Sequence, residues 1–213
     1  MTNDLDTQPA DIAFLRSLAE EGAKAPLGGG LTLMMAGLIY GGASLFQWAA
    51  VKGYTPFSPR ESNWIWIIAT VVFLALCVVD GFRCQKSGVR TAANRAARAA
   101  WSCVGAGIFA CIASMAAVSW RLNEAGAPST VIWLLPSMVM VFYGLGWGVT
   151  AAMFRSGRLA WLTIGSFIAA PLLALMTGSA SQFLGYAASL FILMALPGFL
   201  LMRAASKVRA AKA

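Results

Sequence analysis

Six apolar runs, each about as long as the 20 residues that a helix needs to cross a bilayer, occupy most of this 213-residue chain. Hydrophobic residues make up 59% of the sequence and charged residues 11%, against about 25% charged in an ordinary soluble domain. Backbone polar groups in lipid must bond within their own segment, so each run is predicted to be a helix. The sequence therefore predicts an all-α, polytopic integral membrane protein built as a six-transmembrane-helix bundle.

The predicted layout has three parts. An acidic tail with a short amphipathic helix occupies 1–30, the transmembrane domain occupies 31–202, and a basic tail occupies 203–213. Because the first residues are acidic and polar, with no basic n-region, we expect the first apolar run, and not a removable signal peptide, to direct insertion. The six spans are predicted at about 31–50, 64–82, 101–120, 131–154, 159–177 and 183–202.

Positive charge is unevenly divided between alternate loops, and short loops rich in Lys and Arg stay cytoplasmic during insertion. One side of the predicted map has only Lys52, Arg60 and Arg121. The other side collects Arg83, Lys86, Arg90, Arg95, Arg98, Arg155, Arg158, Arg203, Lys207, Arg209 and Lys212. Both termini are therefore predicted to be cytoplasmic. The Arg- and Ala-rich composition, together with this pattern, favours a bacterial inner membrane.

The densest positive block lies between predicted spans two and three, and its members are Lys86, Arg90, Arg95 and Arg98. Such a cluster beside a bilayer is expected to contact anionic lipid head groups. Nucleic acid is excluded as a partner because the basic residues lack a binding fold with interleaved aromatic side chains. The acidic tail shares the cytoplasmic compartment with this block, so this face is also where we expect any protein partner.

Asp80 is the one acidic residue that approaches the hydrocarbon in the predicted map. It lies near the cytoplasmic end of span two, where the helix dipole disfavours a carboxylate. Arg83 is three residues further on the same helix face, and Arg155 or Arg158 could approach from a neighbouring turn. The sequence predicts an ion pair between Asp80 and Arg83, and the alternative is a carboxylate that carries a proton or an ion.

Small residues recur four apart within the spans, a spacing that lets helix backbones approach closely. Intramolecular packing is the predicted role of these glycines, with a dimer seam or a ligand pocket beside Tyr40 or Trp147 as the alternative. Pro136, Pro171 and Pro197 fall in spans four to six and predict simple kinks. The packing glycines are Gly37, Gly41, Gly144 and Gly148.

The composition excludes several kinds of chemistry. The chain has no His, which removes a Ser-His protease, a His-ligated haem and the usual zinc sites. No Lys lies within a predicted span, and no two acids are expected within reach of each other. Cys77, Cys84 and Cys103 could converge on a soft metal such as Cu(I), but these cysteines and Cys111 are better explained as small buried hydrophobes. We therefore expect no enzymatic activity, metal or cofactor.

Two functions remain. The first is a regulatory or scaffolding component of the membrane, which fits the scarcity of polar residues inside the spans. The second is a small-solute or ion transporter or channel. Its path would be lined by Asp80, Thr70, Ser114, Tyr143 and Ser166. Convergence of these five side chains on one cavity would favour transport, and a dispersed arrangement would remove it.

Overall fold

The computed structural model describes residues 29–85, 92–128 and 130–210, with the backbone alone for 82–85 and 208–210. Over these residues the chain is helical and contains no strand. Six of its helical segments are long and apolar enough to span a membrane. The prediction of an all-α chain with six apolar spans is thus confirmed for the described part. The predicted helix of the acidic tail lies outside the described residues, as do Lys86 and Arg90.

Seven α-helices form the framework of the described chain, and the last two belong to one span. Short 3-10 turns at Glu61–Asn63 and Val131–Leu134 precede the second and fourth helices, and a π-helical turn at Phe191–Ala195 joins the sixth to the seventh. The helices are α1 (Gly30–Val51), α2 (Trp64–Gln85), α3 (Ala92–Glu124), α4 (Leu135–Phe154), α5 (Gly157–Leu175), α6 (Ser181–Leu190) and α7 (Leu196–Ala210).

Helix α3 begins at Ala92, well before the predicted start of span three near Trp101. The added segment is rich in alanine, the strongest helix former, and its two arginines also favour helix. At 33 residues the helix is about 50 Å long, which exceeds the hydrocarbon thickness. Arg95 and Arg98 therefore lie on a helical extension of the span and not in a loop.

Local hydrogen bonds fix where the helices start and stop. Ser58 and Glu61 form a reciprocal capping box before α2: the Ser58 N–H donates to Glu61 Oε2 at 2.8 Å, and the Glu61 N–H donates to Ser58 Oγ at 3.3 Å. Gly53, with φ of 76°, ends α1, and Gly126, with φ of 72°, ends α3. Both adopt the left-handed conformation that glycine tolerates at a helix C-terminus.

The closest helix contact joins α1 to the last span. A Cβ placed on Gly30 would lie 2.8 Å from the Gly198 carbonyl oxygen, and one placed on Gly41 would lie 2.6 Å from the Phe191 ring. Gly37 faces the backbone of Ala195 directly. Gly30 and Gly37 leave room only for hydrogen atoms, so the two backbones touch there, while Gly41 admits the Phe191 ring. Such contact is the main source of helix association in lipid, where apolar side chains gain little by leaving the acyl chains.

The other helices pack around this pair and around α4. The most extensive contact joins α4 to α5, where a Cβ on Gly144 would lie 2.7 Å from the Phe167 ring. At Gly148 the nearest side-chain atom, on Thr163, is 3.5 Å away, so an alanine would fit there. Helix α3 packs on α4, and α2 packs mainly on α1. Only 6% of the apolar window of α2 is buried within the bundle, against 39% for α1.

The three prolines have different consequences. Pro136 lies in the first turn of α4, where its missing N–H leaves no helical bond unmade. Pro171 lies inside α5. Pro197 follows the π-helical turn, and its missing N–H would leave the Leu193 carbonyl without its helical partner. The indole N–H of Trp147 donates to that carbonyl at 3.1 Å, which binds α4 to the last span.

The backbone contact at Gly37 predicts a sharp difference between two neighbouring glycines. Gly37→Ala would drive a methyl group into the backbone of Ala195, and overpacking of this kind costs about 1–3 kcal/mol. Gly42→Ala is the matched control because nothing lies within 4 Å of its Cβ position, and alanine favours helix by about 1 kcal/mol over glycine. We expect Gly37→Ala alone to lower the thermal midpoint in detergent. Equal midpoints would contradict the close approach.

Candidate functional site

Helix α2 has one face that differs from the rest of its surface. Trp66, Thr70, Phe73, Cys77 and Asp80 are spaced alternately four and three residues apart, which places them on one side of a helix. All five are half-buried, while most of their neighbours in sequence are exposed. This face turns toward α1, the helix on which α2 mainly packs.

Two hydrogen bonds join this face of α2 to α1. The Thr32 hydroxyl donates to Asp80 Oδ2 at 2.7 Å, and the Tyr40 hydroxyl donates to Thr70 Oγ1 at 3.3 Å. The Tyr40 ring also meets Phe73 edge-on, with 5.6 Å between the ring centroids. Thr70 in turn donates to the Trp66 carbonyl of its own helix. The polar groups of the α1–α2 contact are therefore engaged with each other.

Three tyrosines from three different spans meet in the interior, and we call Tyr40, Tyr143 and Tyr186 the tyrosine cluster. Tyr143 is 7% exposed and Tyr186 is 6% exposed. Tyr143 and Tyr186 belong to the same buried core, and Tyr40 packs against it. Neither the Tyr143 nor the Tyr186 hydroxyl oxygen is among the buried side-chain atoms of the described chain that lack a hydrogen-bond partner. The cluster thus places two phenol groups among the apolar side chains of the core.

Tryptophans line the tyrosine cluster on two sides. The Trp66 and Tyr186 ring centroids are 6.4 Å apart, and the Trp101 and Tyr143 centroids are 6.1 Å apart. Trp101 also donates its indole N–H to Thr150 Oγ1 at 3.1 Å, so its polar atom is satisfied on the side of α4. The surroundings of the cluster are aromatic, and a flat or cationic group would find favourable partners among such rings.

A second set of buried polar groups lies where the chain turns between spans. Gln47 donates its amide to the Pro59 carbonyl, and Gln182 donates to the carbonyls of Trp133 and Leu173. The amide oxygens of both glutamines are buried without a described partner. Each glutamine fixes helix ends and connecting segments to one another, which is a structural role.

Of the predicted Asp80–Arg83 pair, the structure describes the side chain of Asp80 alone. Asp80 is half-buried, and one oxygen of its carboxylate accepts the hydrogen bond from the Thr32 hydroxyl. The side chain of Arg83 lies outside the described residues, so the pair itself stays a prediction. In the predicted lipid-facing cluster, Arg95 and Arg98 are exposed on the first turns of α3.

The residues predicted to line a transport path do not all meet. Thr70 and Tyr143 come together through Tyr40, and Asp80 lies on the same face of α2 as Thr70. Ser114 is exposed on α3 and donates to the Ala110 carbonyl of its own helix. Ser166 is fully buried on α5 and likewise donates to the Leu162 carbonyl of its own helix. The five residues therefore do not line one path, because Ser114 and Ser166 lie apart from Thr70, Tyr143 and Asp80.

Sequence reasoning missed Thr32, Tyr186 and the two glutamines. The alternating spacing on α2 could have identified the face that carries Thr70 and Asp80, because the residues of α2 that lie between the members of this face are all aliphatic. No pattern in the sequence indicates which residue of another span would meet that face. The partners of Asp80 and Thr70 depend on which helices are neighbours.

The described residues offer no obvious metal centre. Among them no three His, Cys, Asp or Glu residues are grouped so that they could hold an ion. Cys77, Cys103 and Cys111 are free thiols, and the Cys84 side chain lies outside the described part. Comparison with family models, curated proteins and solved structures found no match to this chain. A function is therefore proposed from the arrangement of the described residues.

The Thr32–Asp80 contact predicts a specific mutational pattern. A hydrogen bond to a charged group contributes about 1.5–3 kcal/mol, so Thr32→Val should lower stability in detergent by an amount in that range. Thr32→Ser keeps the hydroxyl and is the matched control. In an Asp80→Asn background the cost of Thr32→Val should shrink, because the acceptor has lost its charge. If the two losses were simply additive, the carboxylate and the hydroxyl would not be acting on each other.

Proposed function

We propose that this protein is a non-enzymatic, multi-pass component of the bacterial inner membrane with a regulatory or scaffolding role. The supporting observation is that buried polar side chains bond from one helix to another. Ser44 of α1 donates to the Phe183 carbonyl of α6 at 2.8 Å, and Ser137 of α4 donates to the Ala170 carbonyl of α5 at 2.7 Å. Such bonds hold a framework in one arrangement and leave those hydroxyls unavailable to a solute.

In this proposal both termini are cytoplasmic, and the basic inner face is the working surface. Arg95 and Arg98 are exposed at the start of α3, and Arg155 and Arg158 are exposed at the turn between α4 and α5. The positive charge of this face would attract a protein partner, and the acidic tail would take part in the same contact. Anionic lipid heads would occupy the remaining surface. No nucleic acid takes part.

A transporter or channel is the second candidate, and the tyrosine cluster favours it. The hydroxyl groups of Tyr143 and Tyr186 would contact a solute, and Asp80 is in line with Thr70 along the same face of α2. Ser114 would take no part in this path, because it is exposed on α3 and bonded within its own helix. This candidate therefore depends on Tyr143 and Tyr186.

The orientation is tested by cysteine labelling after the native cysteines are replaced. Cysteines at Arg60 and Ala125 should react with an impermeant maleimide from the periplasmic side, and cysteines at Arg158 and Ser206 only after the inner face is opened. All four positions are exposed, whereas Ser62, in the same loop as Arg60, is fully buried and would label poorly whatever its side. Labelling of Arg158 and Ser206 in intact spheroplasts would reverse the proposed map.

The two functions are separated by two variants of the full chain. One variant neutralises the tail at Asp4, Asp6, Asp11, Glu20 and Glu21. The other, Tyr143→Phe with Tyr186→Phe, removes two hydroxyls and keeps the rings. A scaffold predicts that the neutral tail reduces cross-linked partner recovered from native membranes several-fold, while the tyrosine variant matches wild type. A transporter predicts the opposite: the tyrosine variant alters solute flux in proteoliposomes, and the tail variant does not.

A further inference from the structure

An open groove runs along the junction of α4 and α5, at the end where the Arg155–Ser156 turn joins them. Its volume is about 440 Å³, and its walls are almost entirely apolar. The wall residues from α4 are Gly148, Ala151 and Ala152, and those from α5 include Gly157, Ala160 and Ile164. Most of these side chains are a methyl group or a hydrogen atom, so the groove is bounded largely by the two backbones.

The groove exists because small residues repeat on both helices at helical spacing. Ala151 and Ala152 lie three and four residues after Gly148 on α4, so the three residues share one face. Arg155 follows the last residue of α4 and also lines the groove, which therefore changes from apolar to cationic at its mouth. Thr163 is the polar residue deeper in the groove, and its hydroxyl is directed to the Leu159 carbonyl of its own helix at 3.4 Å.

Two arginines provide the charge at the mouth. Arg155 lines the groove directly, and Arg158 lies three residues further along the chain, in the first turn of α5. Both are exposed. The whole chain carries a net charge of +8, so the field around these two side chains attracts anions. An occupant that matches both the apolar walls and the cationic mouth of the groove must be hydrocarbon at one end and anionic at the other.

We propose that this groove binds one anionic phospholipid, with an acyl chain along the walls and the phosphate group at Arg155 and Arg158. Charge complementarity selects this occupant, because apolar walls that end at Arg155 match a hydrocarbon chain that carries an anionic group. The site is separate from the tyrosine cluster and does not depend on the scaffolding proposal.

The test measures lipid retained by the purified full-length protein, using native mass spectrometry after titration with phosphatidylglycerol or phosphatidylcholine. Wild type should retain phosphatidylglycerol preferentially. Arg155→Asn with Arg158→Gln should weaken phosphatidylglycerol retention by about fivefold for each arginine, since each contributes about 1 kcal/mol toward an anionic lipid. Asparagine is chosen at Arg155 because that residue has φ of 46°, and asparagine tolerates this conformation.

The matched control is Arg60→Gln with Arg121→Gln, which removes the same charge from the opposite end of the bundle. Trp101 bonds Thr150 near the groove, and Arg121 lies about 30 Å from Trp101 along α3. The control should change retention by less than about twofold, because charges more than a Debye length apart are largely screened. An equal loss in the control would mean that the lipid follows diffuse charge, and the proposed site would be wrong. No loss in the Arg155/Arg158 variant would have the same consequence.

A second variant tests the groove itself without altering charge. Ala152 is exposed at the groove, so Ala152→Phe fills part of it without entering the core. We expect it to release the retained lipid whatever the head group, with gel-filtration behaviour unchanged. Glycerol phosphate, which has the head-group chemistry without acyl chains, should fail to displace the lipid. Displacement by glycerol phosphate would indicate a simple phosphate site, and continued retention by Ala152→Phe would show that the chain lies elsewhere.

Discussion

The backbone contact between α1 and the last span is the constraint on which the arrangement of the bundle depends. Gly30 and Gly37 of α1 meet Gly198 and Ala195 with no side chain between the helices. Close packing of this kind is what holds apolar helices together wherever lipid offers little hydrophobic drive for association. Helix α2 packs mainly on α1, so its position follows from that of α1. The polar contacts of Asp80 and Thr70 follow in turn.

Hydrogen bonds between helices then hold the packing in one arrangement. The clearest case is Trp147, whose indole N–H reaches the Leu193 carbonyl that Pro197 would otherwise leave without its helical partner. A proline in an interior span is tolerated where a neighbouring helix supplies the missing donor. The π-helical turn beside it brings Phe191 against Gly41, so the irregular backbone and the close contact with α1 occur together.

Function is constrained more by what the interior contains than by any motif. The tyrosine cluster places two buried rings and their phenol groups in the core, whereas the buried atoms of the described chain that lack a partner are the amide oxygens of Gln47 and Gln182. The serine and glutamine bonds between helices favour a structural framework. The groove at the α4–α5 turn adds a surface where apolar walls and arginines match a lipid, independently of either function.

The apolar runs by themselves determined the helical class and the number of spans, since a segment of about 20 apolar residues has one stable conformation in a bilayer. The spacing of Trp66, Thr70, Phe73, Cys77 and Asp80 also determined that these side chains share a face. Their partners were decided only by the tertiary structure. Helical periodicity orients a side chain around its own axis, but it carries no information about which span lies opposite. The contacts of Tyr186 and Thr32, and the groove beside Arg155, therefore depend on which spans are neighbours.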